Sequence, residues 1–318
     1  MTKLTPQASG TFAIAPTPFH DDGRIDGKSI DRLTDFYAEV GCEGVTVLGI
    51  LGEAPKMDAA EALQVATHFI KRAKTMQTVV GVSAPGFATM RALARASMDA
   101  GAAGVMIAPP PSLRTDDQIV NYFKQAEEAI GDDIPWVLQD YPLTLSVVFT
   151  PAVIRKIVMD SKSCVMLKHE DWPGLEKISA LRNFQKEGSL RPMSILCGNG
   201  GTFLDFEMER GADGAMTGYA FPELLIDVVK LSKAGKRDAA HDLFDAHLPL
   251  IRYEQQPGAG LAVRKYVLHK RGVIASSAQR KPGAGITATA KAEVDYLLSR
   301  VARVDKRARF QPQSSAAG

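Results

Sequence analysis

Short runs of consecutive apolar residues alternate along this chain with longer stretches in which apolar positions recur every three or four residues. The short runs fall at 12–19, 44–50, 79–84, 104–109, 136–141, 164–170, 194–198 and 214–219, eight in all. They are continuous rather than alternating, as in parallel strands covered on both faces. The stretches between them carry helix signatures. Asp26 stands as an N-cap ahead of Ile30, Leu33, Tyr37 and Val40, which share one face, and Gly41 follows as a terminator. Asp58 and Glu61 have capping-box spacing. Thr150 then Pro151 is a cap with proline at the first helical position, and Ile154, Ile157 and Val158 line the side to be buried.

One connection recurs. Gly41-Cys42-Glu43-Gly44-Val45, Gly101-Ala102-Ala103-Gly104-Val105 and Gly211-Ala212-Asp213-Gly214-Ala215 each join a helix to a strand. The first glycine can end its helix in a left-handed conformation, and the second lets the chain turn tightly into the sheet. Eight such units predict an α/β fold: a closed (β/α)8 TIM barrel, with a doubly wound open sheet as the rival. Helical patterns at 224–234, 239–253, 261–271 and 290–301 exceed what one closing helix needs, so a C-terminal helical extension packs on the barrel. The expected organisation is an N-terminal segment at 1–10, a barrel at 11–223, C-terminal helices at 224–302 and an unstructured tail at 303–318.

Composition narrows the function classes. The 318 residues are 45% hydrophobic with a formal net charge of only +2. That suits one barrel of roughly 250 residues plus an extension, and it gives no reason to expect nucleic acid or a membrane surface as partner. The basic stretch at 300–309 reads as a solvated helix end. Cys42, Cys164 and Cys197 are odd in number and lack CxxC spacing, against both a disulfide framework and a zinc cage. The first ten residues have no apolar signal core, and no apolar run reaches the roughly 20 residues of a membrane span. Cytoplasm is the expected location.

A barrel enzyme carries its site at the C-terminal ends of the strands. There, Lys168 stands out, because it follows Cys164-Val165-Met166-Leu167, a run that belongs inside. A lysine is rarely buried without a reason. Desolvation of an amine disfavours its charged form, leaving a nucleophile for a carbonyl. The alternative is a lysine that snorkels to water or pairs with Glu170. Gly49-Ile50-Leu51-Gly52-Glu53 ends the second strand, where glycines let backbone N–H groups converge on a carboxylate. Cys197-Gly198-Asn199-Gly200-Gly201 ends the seventh, a position that binds phosphate in other barrels. Gln139 and Tyr141 end the fifth and share a face if the strand stays extended; Tyr141 could shuttle protons, and Gln139 could hydrogen bond. The six histidines do not cluster, and no metal site is expected.

These residues, taken in order, carry a resemblance. From about residue 10 to 301 the chain is similar to the dihydrodipicolinate synthase and N-acetylneuraminate lyase family of class I aldolases. The matching stretches are Ala15-Pro16-Thr17-Pro18-Phe19, the 49–53 turn, Gln139-Asp140-Tyr141-Pro142, Leu167-Lys168-His169-Glu170 and Gly214-Ala215-Met216-Thr217-Gly218. The resemblance implies a lyase that forms a Schiff base between Lys168 and pyruvate or a related 2-oxo acid. It also implies a carboxylate site on the strand-two turn, no metal or other cofactor, and a homotetramer or dimer. On this reading Lys168 and Tyr141 are catalytic, and Gly49, Ile50, Leu51, Gln139, Gly198, Asn199 and Thr217 contact substrate. Departures point away from the synthase's own substrate. Ile50 and Leu51 replace hydroxyl residues, Gln139 replaces the tyrosine of the strand-five motif, Pro109-Pro110-Pro111 replaces a second tyrosine, and the arginine after strand five is not evident near Thr144. The Gln-Asp pair before proline is similar to members that dehydrate 2-keto-3-deoxy sugar acids. Two rival readings are a phosphate-binding barrel enzyme using 198–201 and a non-catalytic 2-oxo acid sensor.

Overall fold

A computed structural model of the chain describes residues 2–172 and 174–310. Eight parallel strands close into one barrel in chain order. They are β1 (Gly10–Ile14), β2 (Gly44–Val47), β3 (Gln77–Gly81), β4 (Gly104–Ile107), β5 (Trp136–Asp140), β6 (Cys164–His169), β7 (Ser194–Cys197) and β8 (Gly214–Thr217). The surrounding helices are α1 (Gly27–Val40), α2 (Ala59–Arg72), α3 (Phe87–Asp99), α4 (Asp116–Ile130), α5 (Pro142–Leu145), α6 (Pro151–Asp160), α7 (Leu175–Lys186), α8 (Leu204–Glu209) and α9 (Pro222–Lys233). Three more follow: α10 (Arg237–Glu254), α11 (Gly260–Lys270) and α12 (Ala288–Val301). Closure of β8 onto β1 excludes the open doubly wound sheet.

The helix signals act as their chemistry requires. The Asp26 side chain accepts from Ser29 N at the start of α1, and the Asp58–Glu61 capping box and the Thr150 cap both form. Each strand is shorter at its C-terminal end than its apolar run. Of the residues left over, Ala15 and Gly198 each keep one more amide bond to the neighbouring strand, to Thr46 O and His169 O, while Leu48 turns out with φ 57°. In the repeated connection the first glycines, Gly41, Gly101 and Gly211, have φ of 92°, 105° and 96°. The second glycine does more than turn the chain. A Cβ on Gly44 would lie 2.2 Å from the Phe12 ring, so its missing side chain makes room for an inward-facing aromatic.

Two apolar cores result. Phe12, Ile14, Val79, Met106, Val137, Met166, Leu196 and Met216 fill the barrel, and Leu4 joins them from the N-terminal segment. A larger core lies between the strands and the helices. α9 packs on β1 and β8 as the barrel's closing helix, and α10 packs on α9 and α12. Order runs further than the sequence reading, which leaves 303–318 without structure. Asp305 accepts from Arg307 and lies 3.1 Å from His247 Nε2, and Phe310 stacks on Phe221, so 303–310 are tied down. Residues 311–318 of that expected tail lie outside the described residues. Among the described residues no helix is long and apolar enough to cross a membrane.

Candidate active site

Side-chain alternation decides what enters the mouth. Val137 and Met166 point into the barrel, so Gln139 and Lys168, two residues later, point in as well. They are direct neighbours in the β5–β6 ladder. Lys168 is 5% exposed. Its Nζ lies 2.9 Å from Glu170 Oε2. Gln139 Nε2 donates to the same oxygen at 2.7 Å, and Asn199 N donates to Glu170 Oε1 at 3.2 Å. Glu170 reaches this position because residue 198 is glycine: a Cβ there would lie 2.3 Å from Glu170 Cγ. The amine therefore has a carboxylate beside it able to take and return a proton, and that carboxylate is fixed from two other strand ends.

The β7 turn is committed inward. Gly200 N donates to Thr217 Oγ1 at 2.7 Å, and Gly201 N donates to Gly198 O. With Asn199 N given to Glu170, a carboxylate and a hydroxyl occupy the donors a phosphate would need. Thr217, expected against substrate, accepts this bond from the loop and keeps its O–H proton and a second lone pair to offer.

The β2 turn is built differently. Leu48 has φ 57°, Gly49 follows extended, and 50–52 form one 3-10 turn. The amides of Ile50 and Leu51 are the first of that turn and have no acceptor within it. Thr17 Oγ1 donates to Gly52 O at 2.7 Å, tying the turn to the end of β1. Leu51 packs on the barrel-filling core, whereas Ile50 is 42% exposed. Glu53 turns away and binds Lys265 of α11 at 2.6 Å.

Tyr141 does not share a strand face with Gln139, because the strand ends at Asp140 and Tyr141 is the N-cap position before α5. It is half-buried. Burial pushes its phenol up, a hydrogen bond with Thr144 pulls it back, and Glu170 and Arg264 act on it electrostatically.

On the other face of β5 and β6 lies a second polar group. Lys177 of α7 binds Asp140 at 2.7 Å and Asp171 at 2.6 Å. Burial raises Asp140 to about 7 against the pull of Lys177. His169 is fully buried 3.9 Å from Asp140, and burial lowers it to about 4. Among the described residues no group of three or more His, Cys, Asp or Glu side chains is placed to hold a metal ion.

Two mouth residues escaped sequence reasoning. Glu170 shares the inward face of Lys168 by simple alternation, a signal present in the sequence. Arg264 lies on α11, 46 positions after Gly218, and only the fold brings it to the end of β8.

The sequence model of the dihydrodipicolinate synthetase family matches residues 7–301. A crystal structure of dihydrodipicolinate synthase from Rhodopseudomonas palustris is 82% identical, with a TM-score of 0.94, covering 94% of this chain and 100% of that one. L-2-keto-3-deoxyarabonate dehydratase of Azospirillum brasilense is 28% identical over 303 residues, 93% of this chain and 96% of that protein. A probable 2-dehydro-3-deoxy-D-pentonate aldolase of Escherichia coli is 24% identical over 279 residues, 82% of this chain and 90% of that protein.

Proposed function

The chain belongs to the dihydrodipicolinate synthetase family, and we propose from that membership that it is a lyase that captures a 2-oxo acid as a Schiff base on Lys168. The observation that carries the reading is the buried Lys168 amine 2.9 Å from Glu170, in a barrel mouth, with Glu170 itself held by Gln139 and Asn199. Glu170 accepts a proton from the Lys168 ammonium. The neutral amine attacks C2, and the carbinolamine oxygen leaves as water on taking the proton back. The protonated imine is then the electron sink. Removal of a C3 proton gives an enamine, which expels a C4 hydroxyl as water. Alternatively the C4 hydroxyl is deprotonated, the C3–C4 bond breaks, and C4 leaves as an aldehyde while its electron pair enters the enamine. Water releases the product from Lys168.

Residue roles follow. Tyr141 shuttles protons at the outer end of the site. The Ile50 and Leu51 amides, with Gly49 setting the turn, donate to the substrate carboxylate. Gln139 orients Glu170, while Gly198, Asn199 and Thr217 line the β7–β8 side. The substrate class we favour is a 2-keto-3-deoxy sugar acid. Apolar Ile50 and Leu51 and the Gln139–Glu170 pair replace a hydroxyl relay, and two relatives bear names of such dehydratase and aldolase activities. The test is turnover on a panel of 3-deoxy 2-oxo acids, followed as loss of water or release of pyruvate. Activity on one of them that vanishes in Lys168→Ala is the expected result. Turnover retained by Lys168→Ala removes the imine from the mechanism.

We also place the chain in the cytoplasm, consistent with three buried free cysteines, and in a homo-oligomer, dimer or tetramer. Exposed Leu143, Val148, Met159 and Trp172 support assembly. Sedimentation of the intact chain checks it.

A further inference from the structure

Among the described residues, the mouth holds a buried guanidinium with one nitrogen that the fold leaves without a partner. Arg264 is 2% exposed on α11. Its Nε donates to Glu254 Oε2 at 3.2 Å, a buried pair in which burial raises Glu254 to about 7. Its Nη1 is buried without a hydrogen-bond partner. An unmade bond from a buried guanidinium is costly. Such a group is rare in a native chain unless something absent from the structure completes it.

The position of Nη1 is set by two neighbours. A Cβ built on Gly218 would lie 2.6 Å from Nη1 and 2.9 Å from Leu51 Cδ1. Gly218 follows the end of β8, and Leu51 packs on the barrel-filling core from the β2 turn. Nη1 therefore occupies space that only a glycine at 218 leaves open, between the ends of β8 and β2. In the closed strand order β2 stands opposite β6, which carries Lys168. The free donor thus lies beside the turn whose Leu51 amide faces no partner in its own helical turn, and away from the Lys168–Glu170 pair.

We propose that Arg264 is the charged half of the carboxylate site, with Nη1–H binding the C1 carboxylate of the 2-oxo acid while Lys168 holds its C2. The proposal rests on the Schiff-base reading above. It explains why the β2 turn tolerates Ile50 and Leu51: the ionic contact comes from α11, and the turn needs to supply main-chain donors only. A guanidinium–carboxylate contact in a desolvated mouth is a strong, orienting one. Glu254 fixes Nε and leaves the opposite edge of the fork to the ligand.

The test is the concentration dependence of borohydride-trapped adduct in the full chain, with pyruvate and with methyl pyruvate as the uncharged control. Wild type, Arg264→Gln and Gly218→Ala are compared. In both variants the half-saturating pyruvate rises about tenfold, while trapping at saturating pyruvate and half-saturation by methyl pyruvate stay at wild-type levels. A change in pyruvate half-saturation under about threefold in a folded variant overturns the proposal, as does an equal loss for the ester. So does unchanged pyruvate binding with weakened binding of longer hydroxylated acids, which would put Arg264 at the distal end. If Arg264→Gln fails to fold, Arg264→Met takes its place in the same comparison, because Gly218→Ala also presses on Leu51 Cδ1 and serves as support only. Absence of any adduct in wild type would refute the Schiff-base reading instead, so the two failures are distinct.

Discussion

Two lysine–carboxylate assemblies lie back to back across β5 and β6, and only one faces the barrel mouth. Inside, Lys168 has one carboxylate, Glu170, whose oxygens are shared with Gln139 and Asn199 N. Outside, beneath α7, Lys177 binds two carboxylates, Asp140 and Asp171, with His169 packed alongside. Both lysines are nearly buried and both are paired. Burial and pairing therefore do not mark a reactive amine. The inner amine has a single proton acceptor and a mouth where a ketone can enter. The outer amine is clamped between two anions under a helix, a way of neutralising buried charge within a core.

Substitutions at the two lysines separate function from stability. Lys168→Ala lowers kcat by about 10⁴-fold or more, roughly 5 kcal/mol of transition-state stabilisation, and costs less stability than loss of the outer lysine, because Glu170 keeps its bonds from Gln139 Nε2 and Asn199 N. Lys177→Met does the reverse. It strands Asp140 and costs about 3–5 kcal/mol of unfolding free energy, read by urea titration, with the imine still forming on Lys168. Loss of adduct in a folded Lys177→Met protein would erase the distinction.

Smaller effects sharpen it. Glu170→Gln keeps the shape and removes the proton acceptor, so kcat falls about 10²-fold with little change in stability; a fall under about threefold would assign proton transfer to another group. His169 gives the outer assembly a pH signature. Its native value of about 4 lies below the 6.5 of the unfolded chain, so the unfolded chain takes up the proton first as pH falls. The stability that His169 contributes is complete above pH 6.5 and is lost as pH drops toward 4, with about 2 kcal/mol gone by pH 5. His169→Asn flattens that limb of the urea-stability profile, and an unchanged slope would contradict the assignment.

Period and punctuation made the architecture legible. Continuous apolar runs, caps such as Asp26 and Thr150, and the recurring glycine pair predict strands and helices that the fold contains. The strand ends were less legible. Leu48 and Tyr141 look like strand residues by composition, yet backbone turns remove them from the ladder, so alternation no longer tells where Tyr141 points. Lys168 was visible because a charge interrupts an apolar run. Glu170 is equally visible by its spacing of two, but a carboxylate beside a lysine also fits a plain ion pair, so spacing alone does not give its role. The bond that the Thr217 hydroxyl accepts from Gly200 N has no signal in the sequence. Arg264 had no local signal at all: its chemistry arises from Gly218 and Leu51, which are remote in sequence and meet only when the barrel closes.

The most direct test is peptide mapping after borohydride reduction in the presence of pyruvate. A single reduced pyruvyl adduct is expected on Lys168 and none on Lys177. An adduct on Lys177, or an unmodified Lys168 in active protein, would contradict it.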